Sequence, residues 1–196
     1  NRLRKITDVI GITSQFTYEG SGDFINSLVT PYGTTSFTRQ QGGGPSGTTR
    51  FLETVYPDGS RDRVEYNQYA DVPDSVPAAS VPTGMATYNQ YHIHRNTYYW
   101  SRYASATGYG DYSKAKIYHW LHTTDYTTTA GILESTKEPF EGRVWFDYAG
   151  QLTAHAVGPN NRPSHVGRVL DDGSTQLYSY TYDGFGHVTR SIDPLG

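Results

Sequence analysis

The chain has 196 residues, of which 35% are hydrophobic and 18% charged. Aromatic residues make up 14% and include 18 Tyr, and the chain also contains 21 Gly. This composition is typical of short strands joined by tight turns and argues against general disorder. The net charge of −3 has no basic run that would suit nucleic acid, no apolar stretch approaches the ~20 residues of a membrane helix, and the absence of Cys excludes disulfides and Cys-ligated zinc.

The first 66 residues have the pattern of short strands separated by turns. Asp8 and Gly11 have a spacing that recurs near the C-terminus, and Tyr18 is expected to close the strand that follows them. Residues 30–33 (Thr-Pro-Tyr-Gly) and 56–59 (Tyr-Pro-Asp-Gly) predict two further turns, because Pro presets φ and Gly adopts a positive φ at little cost.

Two segments interrupt this pattern. Residues 39–50 contain Gly42, Gly43 and Gly44 and are expected to form a Gly-rich loop; no Lys-Ser/Thr follows, so a phosphate-binding loop is not expected. Residues 70–87 hold three prolines, which cannot donate to a strand ladder. We expect this Pro-rich segment to be an extended insertion on the edge or face of the sheet.

Aromatic residues are concentrated between positions 88 and 112, around Tyr98, Tyr99 and Trp100. Such rings could stack on sugars, which indicates a carbohydrate-binding or adhesive surface as an alternative function. Packing within a Tyr-rich sheet is the favoured explanation, because cross-strand aromatic pairs stabilise sheets and Tyr is spread along the whole chain.

Four histidines form the candidate metal ligands. His92 and His94 would point to one face of a strand, whereas His119 and His122 would point to opposite faces. With Asp111 or Asp125 these side chains could supply three or four ligands. Polar histidines on a Tyr-rich sheet are the favoured interpretation, so no metal or other cofactor is expected.

The clearest repeat unit lies at the C-terminus. Alternating Tyr178, Tyr180 and Tyr182 predict a strand, Asp183-Gly184 predicts a turn, and residues 188–192 predict the return strand of a β-hairpin. A second copy lies 36 residues upstream, where Asp147, Gly150 and Thr153 align with Asp183, Gly186 and Thr189. 

These motifs resemble the YD-repeat, or Rhs-repeat, family, whose consensus is approximately Tyr-x-Tyr-Asp-x-x-Gly-Arg-Leu-Thr followed by Asp-Pro-x-Gly. Residues 95–100 (Arg-Asn-Thr-Tyr-Tyr-Trp), 115–122, 131–135 and 143–146 also resemble Rhs polymorphic toxins. The residues that carry the repeat motif are Tyr180, Tyr182, Asp183, Gly186, Thr189, Asp193, Pro194, Gly196, Asp147, Gly150, Thr153, Asp8, Gly11, Pro31 and Gly33.

The resemblance implies an all-β fold of antiparallel hairpins that winds into a hollow shell, as in Rhs toxins, insecticidal toxin-complex C components and teneurins. We expect residues 1–196 to be a partial repeat region, a fragment of a larger shell that encloses and delivers a C-terminal toxin domain. Its partners would be the rest of the shell, the cargo, or other copies through sheet edges. The expected location is secreted or cell-surface, through a bacterial export system.

Catalysis is not expected within these residues. The Asp-Pro-x-Gly at 193–196 could belong to an autoproteolytic site, as in similar toxins, but it is also the ordinary repeat turn. Carboxylates for glycoside hydrolysis could come from Glu134, Glu138, Glu141 and Asp147, and such enzymes need a fixed pair of them. The acidic stretch at 133–139 is predicted to be a loop.

Overall fold

A computed structural model describes residues 1–43 and 48–195, so residues 44–47 of the Gly-rich loop predicted at 39–50, and Gly196, lie outside the described residues. Strands take up 45% of the chain and helices 7%, which confirms the expected all-β, antiparallel fold. The chain divides into two compact units: Asn1–Tyr66 with Tyr98–Ala115, and Asn67–Thr97 with the residues from Lys116 onward.

The first unit contains six strands, each paired antiparallel with the next. The strands are β1 (Lys5–Thr7), β2 (Thr13–Tyr18), β3 (Ile25–Thr30), β4 (Gly33–Gln41), β5 (Arg50–Val55) and β6 (Arg61–Asn67). The turns predicted at 30–33 and 56–59 lie between strands, and Tyr18 closes β2 as expected. β4 and β5 include residues 39–41 and Arg50, so these ends of the predicted loop are strand.

Strand β7 (Asn96–Trp100) carries the chain from the second unit to the first, and α1 (Arg102–Gly108) and a 3₁₀ turn (Tyr112–Lys114) follow it. The second unit is a meander of β8 (Lys116–His122), β9 (Thr129–Lys137), β10 (Arg143–Tyr148), β11 (Pro163–Val169), β12 (Thr175–Tyr182) and β13 (Val188–Ile192). All five residues of β13 are exposed, so β13 is an open edge strand.

Residues 68–95, which we call the strap, connect β6 to β7 without forming a strand and contain one 3₁₀ turn, Ala78–Ser80. The strap lies on one face of the second unit's sheet: the Ala86 N–H donates to Asp147 Oδ2 (2.9 Å) and the Thr83 N–H to Thr175 Oγ1 (3.1 Å). A Cβ at Gly167 would lie 2.6 Å from Met85 Sδ. The Pro-rich insertion predicted at 70–87 therefore belongs to a longer segment that covers this face.

One turn type recurs at four hairpins. In each turn the carbonyl of the first residue accepts a hydrogen bond from the N–H of a Gly three positions later. The N–H of that first residue donates to the carbonyl of the residue four positions later. The Gly has φ between +81° and +87°, as in a type I turn followed by a Gly bulge. The four pairs are Asp8 with Gly11, Tyr56 with Gly59, Leu170 with Gly173, and Asp183 with Gly186.

A second recurring feature is a Tyr at the end of a strand. Tyr18, Tyr148 and Tyr182 each follow a register shift against the next strand. Each hydroxyl donates to a carbonyl in or beside the preceding strand, at Leu3 (2.6 Å), Leu133 (2.7 Å) and Pro163 (2.9 Å) respectively. Each of these rings thus joins its own strand to the one before it.

This geometry changes the repeat register expected from the sequence. The residue equivalent to Tyr182 is Tyr148, whereas aligning Asp147 with Asp183 would require Phe146. Asp147 lies within β10 and not in a turn, and the strand after Gly150 begins only at Pro163. The cause is the irregular segment 149–162, which replaces the short turn of the C-terminal hairpin.

Substitution of Tyr182 tests the hydroxyl contact. Tyr182→Phe removes a hydrogen bond to a part-buried carbonyl, so we expect the free energy of unfolding to fall by about 1 kcal/mol in urea titrations. Tyr180→Phe on the same strand is the matched control, because the Tyr180 hydroxyl makes no hydrogen bond within the described residues. Equal effects of the two substitutions would contradict the assignment.

Gly33 tests the packing of one turn on another in the first unit. Gly33 has φ +122°, and a Cβ there would lie 2.5 Å from Pro57 Cβ. Gly59 also has positive φ (+81°) but nothing within 4 Å of the same position. We expect Gly33→Ala to lower the melting temperature more than Gly59→Ala, with an additional loss of about 1–3 kcal/mol from overpacking. Equal losses would show that backbone strain alone sets the cost.

Candidate functional site

Buried polar side chains are concentrated in the second unit, beneath the strap. Tyr98 and Trp100 are the largest fully buried side chains in the first unit, whereas Trp145 and Leu121 in the second are accompanied by a set of polar groups. This set, which we call the buried cluster, comprises His92, Arg95, Asn96, His119, Glu134, Ser135 and Arg143. Buried charges are costly unless they are paired, so their partners require a full account.

Four strands (β7, β8, β9 and β10) and the strap supply the buried cluster. In β8 the residues alternate between half-buried and buried, which places His119 on the covered face. The pairing of β8 with β9 shifts register on both sides of Trp120. His119 and His122 both contact Arg95, although their spacing on a regular strand predicts opposite faces.

Arg95 is the centre of the buried cluster. Its Nε donates to the Trp120 carbonyl (2.9 Å), Nη1 donates to His122 Nε2 (2.9 Å), and Nη2 lies 3.3 Å from His119 Nε2 and 3.2 Å from Glu134 Oε2. The guanidinium thus links the strap to β8 and β9. Arg95 also has φ +56°, a conformation that non-Gly residues rarely adopt and that persists where surrounding contacts hold it.

Glu134 is the buried carboxyl that faces Arg95. Its side chain is 1% exposed, and its second oxygen, Oε1, has no hydrogen-bond partner. Burial raises the pKa of Glu134 to about 7, and the attraction of Arg95 opposes this shift. Since the pKa is raised above its ordinary value of 4.5, the neutral acid favours the folded state. That contribution is full below pH 4.5 and is lost as the pH rises through about 7.

His119 is held as a neutral ring by its neighbours. Arg95 can only donate, so His119 Nε2 accepts and the proton lies on Nδ1, which donates to Asn96 Oδ1 (2.9 Å). Glu134 Oε2 lies 3.4 Å from the same Nε2, where only the protonated acid could donate. Burial lowers the pKa of His119 well below its ordinary value, and Arg95 and Arg143 lower it further.

His92 is the second fully buried histidine and comes from the strap. Its ring lies 5.4 Å from the rings of both His119 and Trp145, and neither ring nitrogen has a hydrogen-bond partner. Burial lowers the pKa of His92 to about 2, and the charge of Arg143 adds to the shift. His92 is therefore neutral while the strap is in place.

Half-exposed rings border the buried cluster on the side of His122. Tyr88 stacks on His155 at 4.1 Å, and Tyr126 lies 5.7 Å from His122. Tyr126 and Tyr91, like Arg95, have positive φ. Burial lowers the pKa of His122, with Arg95 adding to it, and burial also lowers the pKa of His155.

The predicted metal ligands are only partly brought together. His92 and His94 lie in the strap, not on a strand, and His94 Nδ1 bonds to the Gln68 carbonyl. Asp111 bonds Ser113 in the first unit, and Asp125 bonds Thr123 and Thr127 within its own turn. Across residues 1–43 and 48–195 no group of three or more His, Asp or Glu is placed to hold a metal ion.

The predicted carboxylates do not converge either. Glu134 lies in β9, which corrects the expected loop at 133–139: the strand continues to Lys137 because its residues pair with both β8 and β10. Glu138 pairs with Lys116. Asp147 accepts from His165 Nδ1 at 2.7 Å.

The aromatic residues predicted to cluster at 88–112 include the exposed Tyr91, Tyr103 and Tyr109, and only Tyr98 and Trp100 among them are buried. These two rings are 0% and 1% exposed, so neither can stack on a sugar, whereas Tyr103 remains exposed. In the C-terminal hairpin, Asp183 Oδ1 accepts from the N–H groups of Phe185 and His187.

The remaining motif residues occupy turns and strand ends. The Thr189 hydroxyl is 3.0 Å from that of Thr181, and Asp193 Oδ1 accepts from the Leu195 N–H next to Pro194. Thr153 follows β10 in the irregular segment.

Sequence reasoning missed Arg95 and Arg143 as cluster members. Arg143 is buried and donates to Ser135 Oγ (2.8 Å). A signal existed: Arg143 occupies a core-facing position in the alternating run Arg-Val-Trp-Phe, where a charged residue needs a buried partner.

A comparison with protein-family models and one with curated proteins found no match. No helix in the described part of the chain is long and apolar enough to cross a membrane.

Substitution of Arg95 tests the central ion pair. Arg95→Met leaves the Glu134 carboxyl buried without its cation, so we expect the free energy of unfolding at pH 8 to fall by about 3–5 kcal/mol. At pH 6 the loss should be about 1 kcal/mol smaller, because Glu134 can then take up a proton. Urea titrations at the two pH values measure both quantities.

Arg168→Met is the control, because Arg168 bonds the neutral Gln176 side chain (2.7 Å). The loss of free energy of unfolding caused by Arg168→Met should not depend on pH in this range. The same pH-independent cost for Arg95→Met would contradict the role assigned to Glu134.

Proposed function

We propose that this chain is a structural segment of an Rhs-type, YD-repeat β-shell that encloses and delivers a toxin domain. The observation that supports this most is the recurrence of one hairpin design. Tyr18, Tyr148 and Tyr182 make the same hydroxyl contact, and the same Gly turn joins strands in both units. A recurring unit of this kind suits a wall built by repetition of hairpins.

The open edge of the second unit supports a role in a larger assembly. β13 pairs with β12 on one side, and its residues are all exposed. An exposed strand edge offers unpaired backbone groups to another chain. In this proposal the edge is covered by further repeats of the shell, or by another copy if the segment is isolated.

The proposal assigns no catalytic step to the described residues. The buried cluster stabilises the wall, and its carboxyl is enclosed by Arg95 and His119. Export to the cell surface or medium is part of the proposal, because a delivered toxin acts outside its producer.

Mass measurement and protease protection on the native source material test the proposal together. We expect a denatured mass well above 21.9 kDa and a further domain that resists protease until the particle is unfolded. A mass equal to that of these residues, or a neighbouring domain digested as fast in the intact particle as after unfolding, would overturn the containment role.

A further inference from the structure

We propose that the strap is released by acid: protons taken up by His92 and His119 detach residues 68–95 from strands β8, β9 and β10. The inference does not depend on the shell proposal, because it concerns only contacts within the second unit.

The buried cluster is one attachment of the strap to the sheet, beside the hydrogen bonds of Ala86 to Asp147 and of Thr83 to Thr175. His92 places its ring against His119 of β8 and Trp145 of β10. Arg95 bonds His122 and the Trp120 carbonyl of β8, and Glu134 of β9. The attachment therefore passes through two rings and one guanidinium that are almost completely buried.

A histidine cation in this region is unfavourable while the strap is bound. Facing His119 are Arg95 and His92 from the strap, Arg143 from β10, Glu134 from β9 and His122 from β8. Facing His92 are Arg143, His119 and Arg95. Glu134 is the single acid among these groups, so a proton on either ring would add a cation to a region that already holds two guanidiniums.

The hydrogen-bond geometry around His119 and His92 also disfavours a second proton on either ring. A second proton on His119 must lie on Nε2, the atom that faces the Arg95 guanidinium at 3.3 Å. A proton on His92 would gain only the Tyr88 backbone as an acceptor, which does not offset the burial of the ring and the charge of Arg143. When the strap is detached both rings are hydrated and accept protons freely, so acid favours the detached state.

The size of the effect follows from linkage. At pH 5 each histidine that is neutral only when the strap is bound shifts the equilibrium toward opening about 30-fold. Glu134 acts in the opposite direction, because its bound-state proton favours the closed strap below pH 7, by about 60-fold between pH 7.5 and 5. The combined effect of the two histidines exceeds that of the carboxyl, so the opening equilibrium constant increases about tenfold.

Hydrogen exchange of the intact protein at pH 7.5 and 5.0 tests the proposal. Protection factors, corrected for intrinsic rates, would be measured for peptides from the strap and from the β3–β4 hairpin, which contains no His, as internal reference. We expect strap opening to increase about tenfold at pH 5.0 relative to the hairpin. Equal change in both regions would overturn the proposal.

Two substitutions should act in opposite directions. His92→Phe keeps the ring but not the titration, so acid should no longer open the strap. Glu134→Gln removes the opposing carboxyl, so the acid-induced increase should grow to several hundred-fold. His187→Gln is the control, because the His187 side chain is 78% exposed in the C-terminal turn.

If His92→Phe does not fold, hydrogen exchange of Glu134→Gln and of the wild type at the two pH values still tests the proposal. An acid response that is unchanged in Glu134→Gln, or retained in His92→Phe, would overturn the proposal.

Discussion

The second unit depends on one guanidinium that has been removed from water. Arg95 has four partners on two strands, and each of them accepts a hydrogen bond from the guanidinium. Because an unpaired buried cation is so unfavourable, this geometry tolerates little displacement. The positive φ of Arg95, the register shifts of β8 and the neutral form of His119 are all consistent with this one requirement.

The repeated hairpins have a different source of stability. Their turns depend on Gly residues with positive φ, and their strand ends depend on Tyr hydroxyls that bond the preceding strand. These contacts are local and part-buried, and each contributes little by itself. The second unit therefore combines many weak, repeated contacts in its sheet with a few strong, irreplaceable ones beneath the strap.

The sequence predicted the parts of this fold that follow from local chemistry. The turns at Pro31 and Pro57, the end of β2 at Tyr18 and the C-terminal hairpin all come from Pro, Gly and alternation, which act over a few residues. The register of the upstream repeat was not predictable, because the irregular segment 149–162 depends on packing and not on local preference. The buried cluster was also missed: Arg95 and Glu134 are 39 residues apart, and no periodicity indicates that they meet.

The Tyr contacts have a consequence for how such a chain could form and change. Each hydroxyl reaches only the strand before it, so a hairpin can be completed as soon as it has been synthesised, without waiting for distant residues. A hairpin duplicated within the sequence would bring its own anchor and would find its docking carbonyl on the copy beside it. An array with these properties can lengthen by whole hairpins, whereas the Arg-centred cluster, whose residues come from the strap and several strands, is not copied with a hairpin.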